Sequence, residues 1–157
     1  MFLVNVFEDL HKQNKRYRLV IIGDGDERGA IESYIDSHEL SKAVILLSNR
    51  SDVNRYYNAF DFFALPSLFE GLGRVLLEAQ CNGLPCFASK GTIANEVKVL
   101  STFKFVELNS KESWVDTIIS SPCHREKDAE KEIVSAGYEI RNTIDYLQKH
   151  YVEMGAT

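Results

Sequence analysis

The sequence predicts an α/β domain, a Rossmann-like three-layer stack around a mostly parallel sheet, and three observations carry the prediction. Apolar runs of strand length alternate along the chain with segments whose apolar residues step by three and four. No internal repeat, low-complexity stretch or linker interrupts this alternation, so residues 1–157 read as a single domain. A hydrophobic content of 45% over 157 residues is enough for one sizeable core.

The first stretch places Phe2, Leu3, Val6, Phe7 and Leu10 on one helical face, with Lys12, Lys15 and Arg16 beyond the stripe. Tyr17 to Ile22 reads as a buried strand that runs into the turn Gly23-Asp24-Gly25. A helix through Ala30, Ile31, Tyr34 and Ile35 follows. Ala43 to Leu47 is the next strand, and Ser51 or Asp52 stands where it can cap a short helix carrying Val53, Tyr56 and Tyr57. Phe62 to Leu65 and Pro85 to Ala88 are strands on either side of a helix over Gly73 to Asn82. Phe103 to Leu108 alternates, carries Lys104 and Glu107, and makes a weaker strand signal. Trp114, Ile118 and Ile119 indicate a helix after Ser110 that Ser121-Pro122 ends. From Asp128 onward, Ala129, Ile133, Ala136, Ile140, Ile144, Leu147 and Tyr151 predict one long amphipathic helix over 128–151, with Gly137 as its weak point.

Charge and composition exclude several classes of function. A net charge of -5 with interspersed signs presents no basic face for nucleic acid or an anionic membrane. The apolar runs are too short to span a bilayer, and Met1 to Leu10 lacks the pattern of a signal peptide. Three cysteines, an odd number, fit a reducing compartment, and the expected location is the cytoplasm. Cys81, Cys86 and Cys123-His124 match no standard zinc spacing and are expected as buried thiols. His11, His38 and His150 fall at polar positions and are expected in solvent. Tyr56, Tyr57, Phe60, Phe62 and Phe63 have no interleaved basic residues and are expected in the core.

In an open parallel sheet the loops after the carboxyl ends of the strands hold the ligand, and here they follow Ile22, Leu47 and Leu65. The first, Gly23 to Gly29, approximates a dinucleotide fingerprint. Its third glycine comes one residue late and its acidic residues crowd the place of a pyrophosphate, so a tight turn and helix start is the favoured reading. The third loop is better suited to an anion. Gly71, Leu72, Gly73, Arg74 and Val75 lie at a helix start whose unpaired amides can face a phosphate, and Arg74 can add its charge. Glu70, just before this helix, can accept from sugar hydroxyls. Glu78 sits among Val75, Leu76, Leu77 and Ala79 and needs partners; a ribose diol offers two donors, and a neighbouring loop is the alternative.

Pro66-Ser67-Leu68-Phe69-Glu70-Gly71-Leu72-Gly73, the pair Glu70 and Glu78 with seven residues between them, Glu78-Ala79 and Gly83-Leu84-Pro85 resemble the donor-binding half of retaining glycosyltransferases of family four (group 1). The resemblance extends over Tyr17 to about Ala88, including Gly23-Asp24-Gly25 and the loop before Val53. Around Glu96 and Trp114 it is looser and is similar to bacterial polysaccharide-synthesis members.

It implies the C-terminal, Rossmann-like half of a GT-B architecture and a hexosyltransferase that retains anomeric configuration. On the matching positions, Glu70 contacts the donor sugar as the site-critical residue, Glu78 the ribose, and the backbone of Leu72 to Val75 the diphosphate, while Ser48, Asn49 and Arg50, with Asp52 nearby, border the nucleobase. No cofactor or metal is implied. The donor is a nucleotide-diphosphate sugar, UDP-linked in preference to GDP-linked, and the acceptor is a sugar or a lipid-linked sugar. The whole enzyme is expected in the cytoplasm, peripheral to the inner face of the membrane.

The chain also departs from the family pattern. An N-terminal acceptor domain and the first strand of the donor domain, with its Arg-and-Lys motif, are missing, so the chain is expected to be a fragment with weak or absent transfer alone. Its uncovered sheet edge is expected to favour a homodimer. Ser48 stands where the family often has glycine, and Lys90-Gly91-Thr92-Ile93 replaces the usual glycine pair. Two other readings remain open. One is a GT-B-like epimerase or phosphorylase domain, which calls for a basic phosphate site; the other is a non-catalytic interaction module.

Overall fold

The computed structural model describes residues 1–155. Its order is α1 (Phe2–Gln13), β1 (Leu19–Ile22), α2 (Arg28–Ser37), β2 (Val44–Leu47), α3 (Val53–Tyr57), β3 (Phe63–Leu65), α4 (Arg74–Cys81) and β4 (Cys86–Ser89). A 3-10 turn over Asn95–Val97 follows, then β5 (Lys104–Val106), α5 (Lys111–Ser120), α6 (Ala129–Ser135) and α7 (Ile140–Gly155). This is the alternating α/β pattern read from the sequence.

Every strand pairing is parallel, with Leu19 opposite Val44, Phe63 opposite Cys86, and Phe87 opposite Lys104. The hydrogen bonds gather the strands into two parallel ladders, β1-β2 and β3-β4-β5. Strand β4 has neighbours on both sides and all four of its residues are buried. Strands β1 and β3 are each paired on one side only, and their residues are half-buried. The buried strand expected over Tyr17 to Ile22 is a strand over Leu19–Ile22 that is half-buried, because one unpaired edge leaves it partly open.

Helix α1 joins the two ladders because its apolar stripe is wide enough to serve both. Val4 and Phe7 pack with Ile35, Leu40 and Val44, while Val6 and Leu10 pack with Phe87, Trp114 and Ile118. Successive residues of β4 point to opposite faces, so Phe87 enters the core under α1 and α5, and Cys86 and Ala88 enter a second core. That second core contains Tyr57 of α3 and Leu76 and Ala79 of α4, together with Leu84, Val97 and Phe103. It is the base on which the candidate site stands.

Buried Gln80 holds α4 to the segment that follows the 3-10 turn. Its Nε2 donates to the carbonyls of Leu76 at 3.1 Å and Val97 at 2.8 Å, and its Oε1 accepts the N–H groups of Val99 at 3.1 Å and Leu100 at 3.0 Å. A buried amide with both ends engaged fixes the helix without an unsatisfied polar group.

The single helix expected over 128–151 is two helices, α6 and α7. Gly137 adopts φ +92°, its N–H donates to the Val134 carbonyl at 3.0 Å, and the Tyr138 N–H donates to the Ile133 carbonyl at 3.2 Å. This paired C-terminal cap ends α6, and the chain restarts as α7. Ile140, Ile144, Leu147 and Tyr151 then lie exposed along α7.

Candidate functional site

The loop after β3 reaches α4 through Gly73, whose backbone is left-handed at φ +67° and ψ +51°. A Cβ at this position would lie 3.1 Å from Leu76 Cδ1 and 3.3 Å from Glu70 Cγ, so both the conformation and the space call for glycine. The first bond of the helix runs from the Leu76 N–H to the Gly73 carbonyl at 2.8 Å. The amides of Arg74 and Val75 find no backbone or side-chain acceptor among the described residues. Two adjacent N–H groups at a helix start carry the partial positive charge that attracts an anion.

Glu70 is half-buried at the entry to this turn, and Gly71, Leu72 and Arg74 beside it are exposed. Arg74 has no ion-pair partner among the described residues. The Glu70 N–H donates to the Thr92 carbonyl at 3.1 Å, and the Thr92 hydroxyl donates to the Ser67 carbonyl at 2.8 Å. The Lys90-Gly91-Thr92-Ile93 segment thus braces the Glu70 loop from the end of β4. Lys90 itself is turned to Glu107 at 2.8 Å, and that carboxylate raises the Lys90 ammonium above its ordinary range.

Glu78 lies one turn into α4, where its residue is exposed in place of the apolar setting its neighbours suggested. A helix of eight residues buries Leu76, Ala79 and Gln80 on one side, and residue 78 falls off that side. Its carboxylate has a partner nonetheless: the Tyr57 hydroxyl donates to Glu78 Oε2 at 3.0 Å. The two residues lie 21 positions apart, so no local motif marks this contact.

Ser48, Asn49 and Arg50 are exposed in the loop after β2. Asp52 occupies the N-cap position of α3 without making a side-chain cap; its carboxylate instead receives Arg50 Nε at 2.9 Å and Nη2 at 3.1 Å. This forked pair holds Asp52 below and Arg50 above their ordinary pKa ranges, and the guanidinium lies 5.8 Å from the Tyr56 ring centre. The expected helix cap is corrected, because the fork outcompetes the backbone for the same oxygens.

In the loop after β1, Asp24 Oδ2 accepts the Asn49 N–H at 3.1 Å and Oδ1 accepts Arg28 Nη1 at 2.8 Å. The Asn49 bond, with Arg28 beside it, keeps the Asp24 carboxyl below its usual range. A depression of about 220 Å³ borders this loop, lined by Ile21, Gly23, Asp24, Arg28 and Leu46. Glu70 and Glu78 are not among its lining residues, and Asp24 and Arg28 on its wall are paired with each other.

The buried-thiol expectation holds for Cys86, whereas Cys81 and Cys123 are exposed. Burial raises the thiol pKa of all three, which weakens them as nucleophiles. Among the described residues no group of three or more His, Cys, Asp or Glu side chains is placed to hold a metal ion, and no helix is long and apolar enough to cross a membrane.

The chain is 29% identical over 154 residues to the putative glycosyltransferase EpsF of Bacillus subtilis (strain 168), covering 96% of this chain and 40% of that protein. It is 32% identical over 143 residues to the UDP-Gal:alpha-D-GlcNAc-diphosphoundecaprenol alpha-1,3-galactosyltransferase of Escherichia coli, covering 86% of this chain and 36% of that one. The chain therefore spans about two fifths of the length of these relatives. Among solved structures it is similar to the pneumococcal O-GlcNAc transferase GtfA in complex with UDP and GlcNAc, with a TM-score of 0.76 at 18% identity over 97% of this chain and 32% of that chain. That likeness shows the fold, the Rossmann-like half of a GT-B glycosyltransferase. Over residues 2–130 the sequence matches the model of the Glycosyl transferases group 1 family, and the chain belongs to that family.

Proposed function

We propose that this chain is the C-terminal donor-binding half of a retaining glycosyltransferase of family four, and that it binds a UDP-sugar. The observation that carries the reading is the entry to α4: left-handed Gly73, two unpaired amides at Arg74 and Val75, and a carboxylate on either side at Glu70 and Glu78. UDP in the GtfA structure and UDP-Gal in the name of the E. coli relative support the choice of nucleotide.

In this reading the diphosphate lies on the amides of Leu72 to Val75 with Arg74 beside it. As the bond from the sugar's anomeric carbon to the diphosphate breaks, negative charge gathers on the leaving phosphate, and fixed N–H dipoles stabilise it. Glu70 accepts from hydroxyls of the sugar and Glu78 from the ribose. Ser48, Asn49 and Arg50 border the base, with the Arg50–Asp52 fork and Tyr56 setting the shape of that edge. No metal or cofactor is assigned to the transfer. A hexosyl group passes to a sugar or lipid-linked acceptor in polysaccharide or glycoconjugate synthesis, in the cytoplasm at the inner face of the membrane. The isolated chain binds donor but transfers weakly or not at all, and the unpaired edges of β1 and β3 support homodimerisation at high concentration.

Calorimetric titration with UDP, GDP and ADP tests the donor reading. UDP is expected to bind preferentially, and Glu78→Gln to weaken it by roughly tenfold, the loss of one charge-assisted bond. Equal affinity for the three nucleotides, or no effect of Glu78→Gln, counts against it. The exposed stripe Ile140, Ile144, Leu147 and Tyr151 on α7 favours a second reading, docking of a partner, alongside donor binding.

A further inference from the structure

We propose that Tyr57 is the positioning residue for Glu78: its buried hydroxyl fixes one oxygen of the carboxylate so that the other is presented to the ribose diol of the donor. The inference rests on the donor reading above and adds to it a residue outside the loops considered so far.

The Tyr57 ring belongs to the core. The residue is 2% exposed, packs with Leu76, Ala79, Leu84 and Cys86, and meets Phe63 edge-on with ring centres 5.6 Å apart. Its backbone is held as well, since the Tyr57 carbonyl accepts Arg125 Nη2 at 2.7 Å. A hydroxyl on so constrained a ring has little freedom of its own. It crosses from the core to the exposed face of α4 and donates to Glu78 Oε2 at 3.0 Å, while Oε1 has no hydrogen-bond partner among the described residues.

An ionised carboxylate accepts at both oxygens, so the Tyr57 bond leaves acceptor capacity for a ligand. Without it, Glu78 is a long side chain on an exposed helix face, free to sample several rotamers, and ligand binding must freeze them. Burial, and then the Glu78 carboxylate, raise the Tyr57 pKa well above that of a free phenol, so the hydroxyl remains a donor throughout the neutral range. The same short helix begins at the Arg50–Asp52 fork and ends at Tyr57. One five-residue element therefore joins the edge assigned to the base with the carboxylate assigned to the ribose.

The test is a comparison of UDP with 2′,3′-dideoxy-UDP on the wild-type chain, Tyr57→Phe, Glu78→Ala and the double variant. Phenylalanine keeps the ring and removes only the donor. Wild type is expected to prefer UDP. Tyr57→Phe is expected to lose roughly three- to tenfold in affinity for UDP, the scale of freezing one flexible side chain, and to bind the dideoxy nucleotide unchanged. In the Glu78→Ala background the Tyr57→Phe change should have no effect on UDP. An equal loss for both nucleotides, an unchanged UDP affinity, an additive double variant, or failure of Tyr57→Phe to fold assigns the hydroxyl to general structure and overturns the proposal. If wild type binds both nucleotides equally, the ribose assignment of Glu78 falls first and carries this inference with it. That result is distinct from a diol preference that persists undiminished in Tyr57→Phe, which removes the positioning role alone.

Discussion

The carboxylate of Asp24 accepts the backbone N–H of Asn49 at 3.1 Å, which fastens the loop after β1 to the loop after β2. Its other oxygen is occupied by Arg28 at 2.8 Å, so Asp24 is anchored to α2 while it holds Asn49. In the proposed site this makes Asp24 a support for the base-bordering loop without contact to the nucleotide. Asp24→Ala is expected to weaken UDP by roughly fivefold, at the low end of couplings between separate sites, and to shift the Asn49 amide resonance. Unchanged affinity and an unchanged Asn49 signal would show that the loop holds its shape without this bond.

Gly73 yields a prediction about both stability and function. Alanine there meets a left-handed backbone and a Leu76 methyl carbon at 3.1 Å. The expected cost of Gly73→Ala is about 1–2 kcal/mol from the backbone conformation alone, and a fall of several degrees in Tm for a chain of this size. Because the added carbon also presses on Glu70 Cγ at 3.3 Å, affinity for a UDP-sugar should fall more than affinity for UDP. A thermal melt and paired titrations measure the two effects.

The seam between α1 and α2 supplies a pH dependence. Glu8 takes Lys12 Nζ at 2.6 Å and the Tyr34 hydroxyl at 2.6 Å; first Lys12 and then Tyr34 hold its pKa below the ordinary carboxylate range. A depressed folded pKa contributes stability that is present above the unfolded value, about 4.3, and is lost as pH falls through the folded value. The Glu8 bond pushes Tyr34 up to about 12, so its contribution is present below the free phenol value and is lost as pH rises through about 12. Glu8→Gln should therefore flatten the acid limb of urea midpoints below about pH 5, and Tyr34→Phe the alkaline limb above about pH 10. A wild-type profile with the same slopes as both variants would contradict this assignment.

Sequence patterning made the fold class readable because strand-length apolar runs and helical stripes report burial directly. It could not show where the long C-terminal stripe breaks, since Ile133 and Ile140 keep helical spacing across Gly137 and a chain reversal leaves the period intact. Nor could it choose which side of α4 faces the core. Val75, Leu76 and Leu77 precede Glu78 and Cys81 lies beyond it, so the all-round apolar pattern concealed the exposed positions of Glu78 and Cys81. The loop residues of the candidate site were legible as a local constellation from Glu70 to Glu78. Tyr57 was not, because it approaches Glu78 from 21 residues away through tertiary packing, and an aromatic cluster without interleaved basic residues reads as core.

In the proposed site a nucleotide diphosphate sits at the start of α4 and reaches the loop after β2. The most direct measurement is the change in backbone amide resonances of isotope-labelled protein as UDP is added. The largest changes are predicted at Leu72 to Val75 and at Ser48 to Arg50, with the signals of α7 unmoved. Saturable changes confined to the depression beside Asp24 and Arg28, or to α7, would contradict the proposed site and place the ligand elsewhere on the chain.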